Sequence, residues 1–166
     1  MAAAITGPDP RWERLHEPAD LARWLESRFS GLATTVTDRD LTDAKALRAA
    51  IARAATAASR NEHLNGDDVD VINLFAVTPD IPPVLAGGTR QAGRSRARVS
   101  LTLSAMAREA VDLFNAELNE RIRECAADGC RLIFYDDSRS NNRRWCSMQR
   151  CGNRAKVRAH RSRSSG

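Results

Sequence analysis

The chain has 166 residues, of which 42% are hydrophobic but only 5% aromatic, so it allows one ordinary domain, or one domain plus a small module that needs a further cross-link to fold. No apolar run approaches the roughly 18 residues that a membrane-spanning helix requires, so we expect no transmembrane segment and no membrane partner. The net charge is +5, but residues 121–166 hold 12 Lys and Arg against 4 Asp and Glu, a net +8, which favours nucleic acid as a partner.

Three helices are predicted in the first half of the chain. Residues 18–30 and 42–60 repeat apolar side chains at helical spacing, and residues 68–77 do so over a shorter length. Proline suits the first position of a helix, and Thr or Asp side chains can accept hydrogen bonds from its first N–H groups. The predicted starts are Pro18 at the first helical position, Thr42 as N-cap, and Asp67 or Asp68 as N-cap.

Two short strands are predicted between the third helix and the next one. Residues 84–85 and 99–101 contain Val and Leu and flank a loop of Gly, Arg and Ser residues. The cleft between these strands and the helices is the candidate site for a small-molecule or protein effector. Residues 102–124 then repeat apolar side chains every three or four positions, which predicts a long helix leading directly into Cys125.

The four cysteines of the chain lie close together near its end, as two C-x4-C pairs separated by 15 residues. This pattern indicates one tetrahedral zinc site of four thiolates. Two disulfides or a reactive cysteine are the alternatives. Residues 1–4 do not resemble the start of a signal peptide, and the chain has no C-x-x-C motif, so a reduced, cytoplasmic protein with one structural Zn²⁺ is favoured. The predicted zinc ligands are Cys125, Cys130, Cys146 and Cys151.

A small zinc module is predicted over residues 120–163. Its parts are a turn at residues 125–130 (the knuckle), strands at 131–136 and 143–146 that form a hairpin, and a short basic helix from Gly152 to about His160. Gly129 allows the turn of the knuckle. The expected core is too small to fold unaided, so zinc should supply the missing free energy, on the order of 10 kcal/mol in isolated zinc peptides. The predicted core side chains are Leu132, Phe134, Trp145, Met148 and Val157.

The expected fold class is α+β. A mostly helical N-terminal domain with a short β-hairpin would occupy residues 1–119, and the zinc module would follow it. Residues 164–166 are expected to form a disordered tail, because the end of the chain is rich in Ser and Arg.

The residues around the cysteines form a dense motif. After the first cysteine pair come Ile133-Phe134-Tyr135-Asp136, Ser138-Arg139, Arg143-Arg144-Trp145-Cys146-Ser147-Met148, Cys151-Gly152-Asn153-Arg154 and Lys156. This pattern closely resembles the bacterial CGNR zinc-finger family. The resemblance implies a transcription regulator whose zinc-bound C-terminal module binds double-stranded DNA, behind a stress-response regulatory domain of the ABATE type.

Eight residues of the zinc module are candidates for contact with DNA. Arginine can read guanine with two hydrogen bonds, asparagine can read adenine, and basic side chains also bind phosphates. A structural role is equally open for two of them: Asn153 can bond to the loop backbone, and Arg154 can pair with Asp136 or Asp137. The candidates are Arg143, Arg144, Arg150, Asn153, Arg154, Lys156, Arg158 and Arg161.

Three classes of function are open for the whole chain. The basic module and the motif favour a zinc-dependent, DNA-binding transcription regulator. The alternative is a protein-interaction adaptor in which the zinc ion is purely structural. An enzyme is not expected, since the chain has no phosphate-binding loop and no Ser/His/Asp set, and since His16, His63 and His160 are scattered. The oligomeric state is not indicated by the sequence.

Overall fold

Helices dominate the computed structural model, which describes residues 13–29, 35–79, 98–115 and 117–164. Within these residues, five α-helices accompany a two-stranded antiparallel sheet, and the mostly helical α+β architecture confirms the predicted fold class. The elements are, in chain order, α1 (Pro18–Arg28), α2 (Asp38–Ser59), α3 (Gly66–Ala76), α4 (Val99–Asn115), a 3-10 turn (Glu117–Arg121), β1 (Ile122–Glu124), β2 (Ile133–Tyr135), a π-type turn (Met148–Gly152) and α5 (Asn153–Ser164).

The first two predicted helices form, but the second begins earlier than predicted. α1 starts at Pro18 as expected. α2 starts at Asp38 because Thr37 is its N-cap: the Thr37 side chain accepts a hydrogen bond from the backbone N–H of Asp40, and the Asp40 carboxylate accepts one from the backbone N–H of Thr37 at 2.8 Å. The predicted N-cap Thr42 is therefore wrong. Its hydroxyl donates to the Asp38 carbonyl inside the helix at 2.9 Å.

α3 begins at Gly66, slightly before its predicted start. The side-chain oxygen of Asn65 accepts a hydrogen bond from the backbone N–H of Asp67 at 2.8 Å, so Asn65 is the N-cap and the predicted caps Asp67 and Asp68 are wrong. Asp68 has a different role. Its buried carboxylate accepts hydrogen bonds of 2.6 and 2.9 Å from the guanidinium of Arg53, which ties α3 to α2.

Residues 99–101 form the first turn of α4, so the strand predicted there is wrong. Val99 begins a buried stripe along α4 that continues with Leu103, Ala107 and Ala110. The helical period of that stripe outweighs the β preference of one valine. The other predicted strand, at residues 84–85, lies outside the described residues, so the predicted effector cleft loses the strand at 99–101 as one of its walls.

The main core lies where α1, α2, α3 and α4 meet, and much of it is alanine. Six of the eight buried residues in α2 are alanines, and such small side chains let neighbouring helices approach closely. α1 contributes Leu21 and Leu25, whereas Trp24 on the same helix is 38% exposed. Among the described residues, no helix combines the length and the apolar character needed to cross a bilayer.

The long helix predicted for residues 102–124 ends at Asn115. The last part of that segment instead forms β1, which pairs antiparallel with β2 so that Ile122 lies opposite Tyr135. The apolar spacing of the segment continues across both structures. Only the pairing with β2, which is distant in sequence, distinguishes the strand from a longer helix.

The hairpin of the zinc module differs from the prediction in one of its strands. The predicted strand at residues 131–136 is confirmed as β2, but the predicted partner at 143–146 is wrong because β1 takes its place. Residues 143–146 run as irregular chain and are tied to the knuckle by a hydrogen bond from the backbone N–H of Ala126 to the carbonyl of Arg144 at 2.9 Å.

α5 is the basic helix predicted from Gly152, which is instead the last residue of the π-type turn. The helix runs through Ser164, the first residue of the tail that was predicted to be disordered. The last two residues of that tail lie outside the described part of the chain.

β2 separates the helices from the cysteines. Successive side chains of a strand point to opposite faces, and here Ile133 packs with Ala55 and Ala58 of α2 while Phe134 packs with Cys125 and the other cysteines. This short strand therefore fixes the position of the cysteine cluster relative to α2.

Candidate metal centre

The four cysteine sulfurs converge on one point, all within 4.8 Å of one another. The Sγ atoms of Cys130 and Cys146 are 3.8 Å apart, and those of Cys146 and Cys151 are 3.7 Å apart. A zinc ion with four Zn–S bonds of about 2.3 Å holds its sulfurs about 3.8 Å apart at the edges of a tetrahedron. A disulfide needs about 2.05 Å, and all four cysteines are free. The cysteines therefore form one zinc site, as predicted, and not two disulfides.

The first two ligands are presented by the knuckle, directly after β1. The backbone N–H of Cys125 donates to the Leu132 carbonyl at 2.9 Å, which continues the ladder of the sheet, and the N–H of Cys130 donates to the Ala127 carbonyl at 2.9 Å. Gly129 has φ +73°, a left-handed conformation that favours glycine. The tight turn brings the second thiol back beside the first.

The other two ligands are brought together by the π-type turn. The Ser147 carbonyl accepts hydrogen bonds from the backbone N–H groups of Cys151 and Gly152, at 2.9 and 3.1 Å, and its hydroxyl oxygen accepts one from the N–H of Arg150 at 3.3 Å. The backbone N–H of Cys146 donates to the sulfur of Cys125 at 3.4 Å. This last bond joins the two cysteine pairs directly.

The cysteines lie in an apolar layer. Phe134, Cys125 and Cys151 are almost fully buried, and Trp145 packs against them. Three of the predicted core side chains are not in this layer. Leu132 is only partly buried and does not pack there. Met148, on the π-type turn, is 46% exposed, and Val157, on α5, is 50% exposed.

Asp136 organises the loop that carries the chain from β2 to Cys146. Its carboxylate is fully buried and accepts hydrogen bonds from the backbone N–H groups of Ser138 at 3.0 Å and Arg143 at 2.8 Å. Burial alone would raise the pKa of Asp136, but the bonds from Ser138 and Arg143 outweigh it and lower that pKa. Sequence reasoning missed this role, although an acidic residue at the end of an apolar strand was its signal.

Arg154 donates to the sulfur of Cys151 at 3.4 Å and to the Arg150 carbonyl at 3.2 Å, and not to Asp136 or Asp137. Burial alone would raise the pKa of the Cys151 thiol, but the hydrogen bonds from Arg154 and from the neighbouring cysteines lower it. Four thiolates exceed the charge of Zn²⁺ by two negative charges, which Arg154 partly offsets.

Burial raises the pKa of the Cys146 thiol, and its hydrogen bonds with Cys151 and Cys125 raise it further. Zinc is bound by thiolates, so binding releases the thiol protons and metal affinity rises with pH. Four cysteine ligands are the arrangement of structural zinc sites, in which the ion would contribute folding free energy.

Contacts within the zinc module account for the positions of at least three of the eight candidate DNA contacts. The Arg143 guanidinium stacks 5.0 Å from the Phe134 ring centre and donates to the carbonyls of Trp145 and Cys146. Arg154 bonds to the cysteine cluster, as described, and Arg158 pairs with Asp128 at 2.9 Å.

The remaining five candidates are exposed on the surface of the module. Arg144 lies over the Trp145 ring at 5.4 Å. The others are Arg150, Asn153, Lys156 and Arg161. Of the eight candidates, Arg143 is partly buried and the other seven are exposed.

Two family models match the chain. Residues 2–117 match the ABATE model, described as "Putative stress-induced transcription regulator", and residues 121–164 match the CGNR zinc finger model. The second match contains all four cysteines and Asp136. A comparison with curated proteins finds no match.

Proposed function

We propose, on the premise that the chain belongs to the ABATE family and carries a CGNR zinc finger, that it is a transcription regulator whose zinc module binds double-stranded DNA. Membership of the family supplies the class of protein, a transcription regulator. Duplex DNA as its partner is inferred from the surface of the zinc module.

The observation that carries the proposal is α5. It has 12 residues, its sequence contains five Arg and Lys and no acidic residue, and none of its described side chains is buried. Isolated helices shorter than about 12–15 residues are marginal in water, and like charges one turn apart destabilise them further. A helix of this kind gains stability from a polyanion, and duplex DNA offers a groove wide enough to admit it.

The attachment of the module supports the same function. Ile122 and Ile133 share an apolar cluster with α2, and Arg60 after α2 pairs with Glu124 of β1 at 3.2 Å. The basic surface is therefore held in a fixed orientation to the helices, so a change in the helices can alter how the surface meets DNA.

Salt-dependent binding of the zinc-loaded full chain to duplex DNA tests the proposal. Each phosphate contact adds about −0.9 to the slope of log K against log salt, so four contacts give a slope of about −3.6. The Cys146→Ser variant is the control, because it removes a zinc ligand and leaves the charge of every basic residue unchanged. The proposal is wrong if the zinc-loaded protein has no duplex affinity at low salt, or an affinity that does not respond to salt.

A protein-interaction adaptor is the second candidate. It is favoured by Leu74 and Val77, at the C-terminal end of α3, which are 68% and 77% exposed and suit an apolar partner surface. The same titration separates the two functions, since an adaptor would retain its zinc and lack duplex affinity.

A further inference from the structure

α5 presents one of its sides to the zinc site. Arg154 and Arg158 are four residues apart and so lie one above the other on the same side. Arg154 reaches the sulfur of Cys151, and Arg158 reaches the carboxylate of Asp128 in the knuckle. Both contacts are made to residues of the zinc module, so this side of the helix is the one turned toward the module.

The side that these contacts leave facing outward carries a different set of residues. Residues advance about 100° around a helix, so Asn153, Lys156 and Val157 form a face centred about 120° from Arg154 and Arg158. All three are exposed. Val157 is 50% exposed on a helix that otherwise displays mainly charged and polar groups.

The chemistry of this outward face matches the base edges of the major groove. An asparagine amide can bond to adenine at two points, a lysine can donate to guanine O6 and N7, and an apolar side chain can contact the methyl group of thymine. The 12 residues of α5 span about 18 Å, and the major groove, about 12 Å wide, admits a helix.

We infer that Asn153, Lys156 and Val157 are the sequence-reading residues of the zinc module, and that α5 enters the major groove with this face against the bases. Arg154 and Arg158, which the sequence also suggested as DNA contacts, lie on the side of the helix that is turned toward the module. The inference rests on the proposed binding of duplex DNA and adds which residues select the sequence.

Selection from a pool of duplexes with a randomised centre tests the inference. The zinc-loaded full chain selects its preferred duplex, and affinity is then measured for that duplex and for a scrambled one. The specificity ratio is the affinity for the preferred duplex divided by that for the scrambled one. We expect Asn153→Ala and Lys156→Gln each to lower this ratio about 10-fold and Val157→Ser to lower it about 5-fold, in line with the discrimination of single base contacts.

Matched variants outside α5 give the controls. Asn73→Ala repeats the change of Asn153→Ala at an exposed position of α3, and Val77→Ser repeats that of Val157→Ser at the exposed residue that follows α3. Lys45→Gln repeats the change of Lys156→Gln at the other lysine of the chain. These controls should leave the specificity ratio unchanged. Zinc content, measured for every variant, should stay at one ion per chain, which shows that the module is folded.

The possible outcomes separate this inference from the proposed function. Loss of the specificity ratio in the α5 variants, with the controls unchanged, supports the inference. A wild-type chain that binds all duplexes equally, or α5 variants that keep the ratio, overturn the inference and leave DNA binding standing. A zinc-loaded chain that binds no duplex at low salt overturns the proposed function, and this inference with it.

Discussion

Two neighbouring aspartates of the zinc module should differ in how much they contribute to the stability of the fold. Asp136 is fully buried and accepts two backbone hydrogen bonds, whereas Asp137 is 66% exposed and meets Arg143 at 3.4 Å. We expect Asp136→Ala to lower the free energy of unfolding by about 1–3 kcal/mol, because two backbone N–H groups lose their acceptor. Asp137→Ala should change it by less than about 1 kcal/mol. Urea denaturation of the zinc-loaded variants measures both, and equal effects would contradict the assignment.

The pair of Glu13 and Arg48 gives a stability that depends on pH. The Arg48 side chain bonds to both carboxylate oxygens of Glu13, at 2.9 and 2.6 Å, and this lowers the pKa of Glu13 to about 2. A carboxyl whose pKa is lowered in the folded state stabilises it above the unfolded pKa, here 4.5, and this stabilisation is lost as pH falls toward 2.

The measurement is a comparison of wild type with Glu13→Gln across pH. We expect the wild type to be more stable by about 1–2 kcal/mol at pH 7, a value reduced from the full pKa difference because Arg48 is partly exposed. The difference should shrink between pH 4.5 and pH 2. A difference that stays constant over that range would show that the ion pair contributes nothing measurable.

At the scale of elements, the start of α2 offers a direct test. Thr37→Ala removes the observed N-cap and should lower the free energy of unfolding by about 1 kcal/mol. Thr42→Ala, the matched change at the cap that the sequence suggested, should have almost no effect, because the Thr42 hydroxyl bonds only to a carbonyl already within the helix. Thermal unfolding of the two variants distinguishes the assignments, and an equal loss would contradict the observed cap.

Several features of the fold can be predicted from residues that lie close together in the sequence. The cysteine spacing, the amphipathic period of α2 and the proline at the start of α1 are readable in short windows, and each led to a correct feature. The capping box of Thr37 and Asp40 is equally local, but Thr42 is also a residue type that suits an N-cap, and it lies closer to the first alanines of the helix.

The errors in the sheet have a different cause. The apolar spacing of residues 102–124 fits a helix throughout, and only the distant partner β2 converts its end into β1. The exposure of Val157 likewise depends on where α5 leaves the module. Pairing and direction of this kind are properties of the assembled chain, and no short window contains them.

At the scale of the whole molecule, zinc should stabilise one part of the chain more than the other. Among the described residues, the main core consists of α1 to α4 and the segments that flank them, and none of its members belongs to the zinc module. We expect Cys146→Ser to release the zinc ion and unfold the module while α1–α4 largely persist, since zinc supplies on the order of 10 kcal/mol in small zinc-dependent folds.

Zinc content and hydrogen exchange resolved by segment measure this outcome. Exchange should become fast in residues 122–164 and stay slow in the buried parts of α2 and α4. Chelation of zinc from the wild type should reproduce the pattern, and restored zinc should reverse it for the wild type alone. Retention of one tightly held zinc by the Cys146→Ser variant would contradict the four-sulfur site.

The alternation of side chains along β2 limits how the module can be transplanted. A chimera that received residues 121–164 alone would contain every cysteine. Its Ile122 and Ile133, however, would no longer pack against Ala55 and Ala58 of α2. The two isoleucines would then form an exposed apolar patch, which promotes self-association. A portable version would therefore carry polar replacements at both isoleucines, or be grafted together with the end of α2.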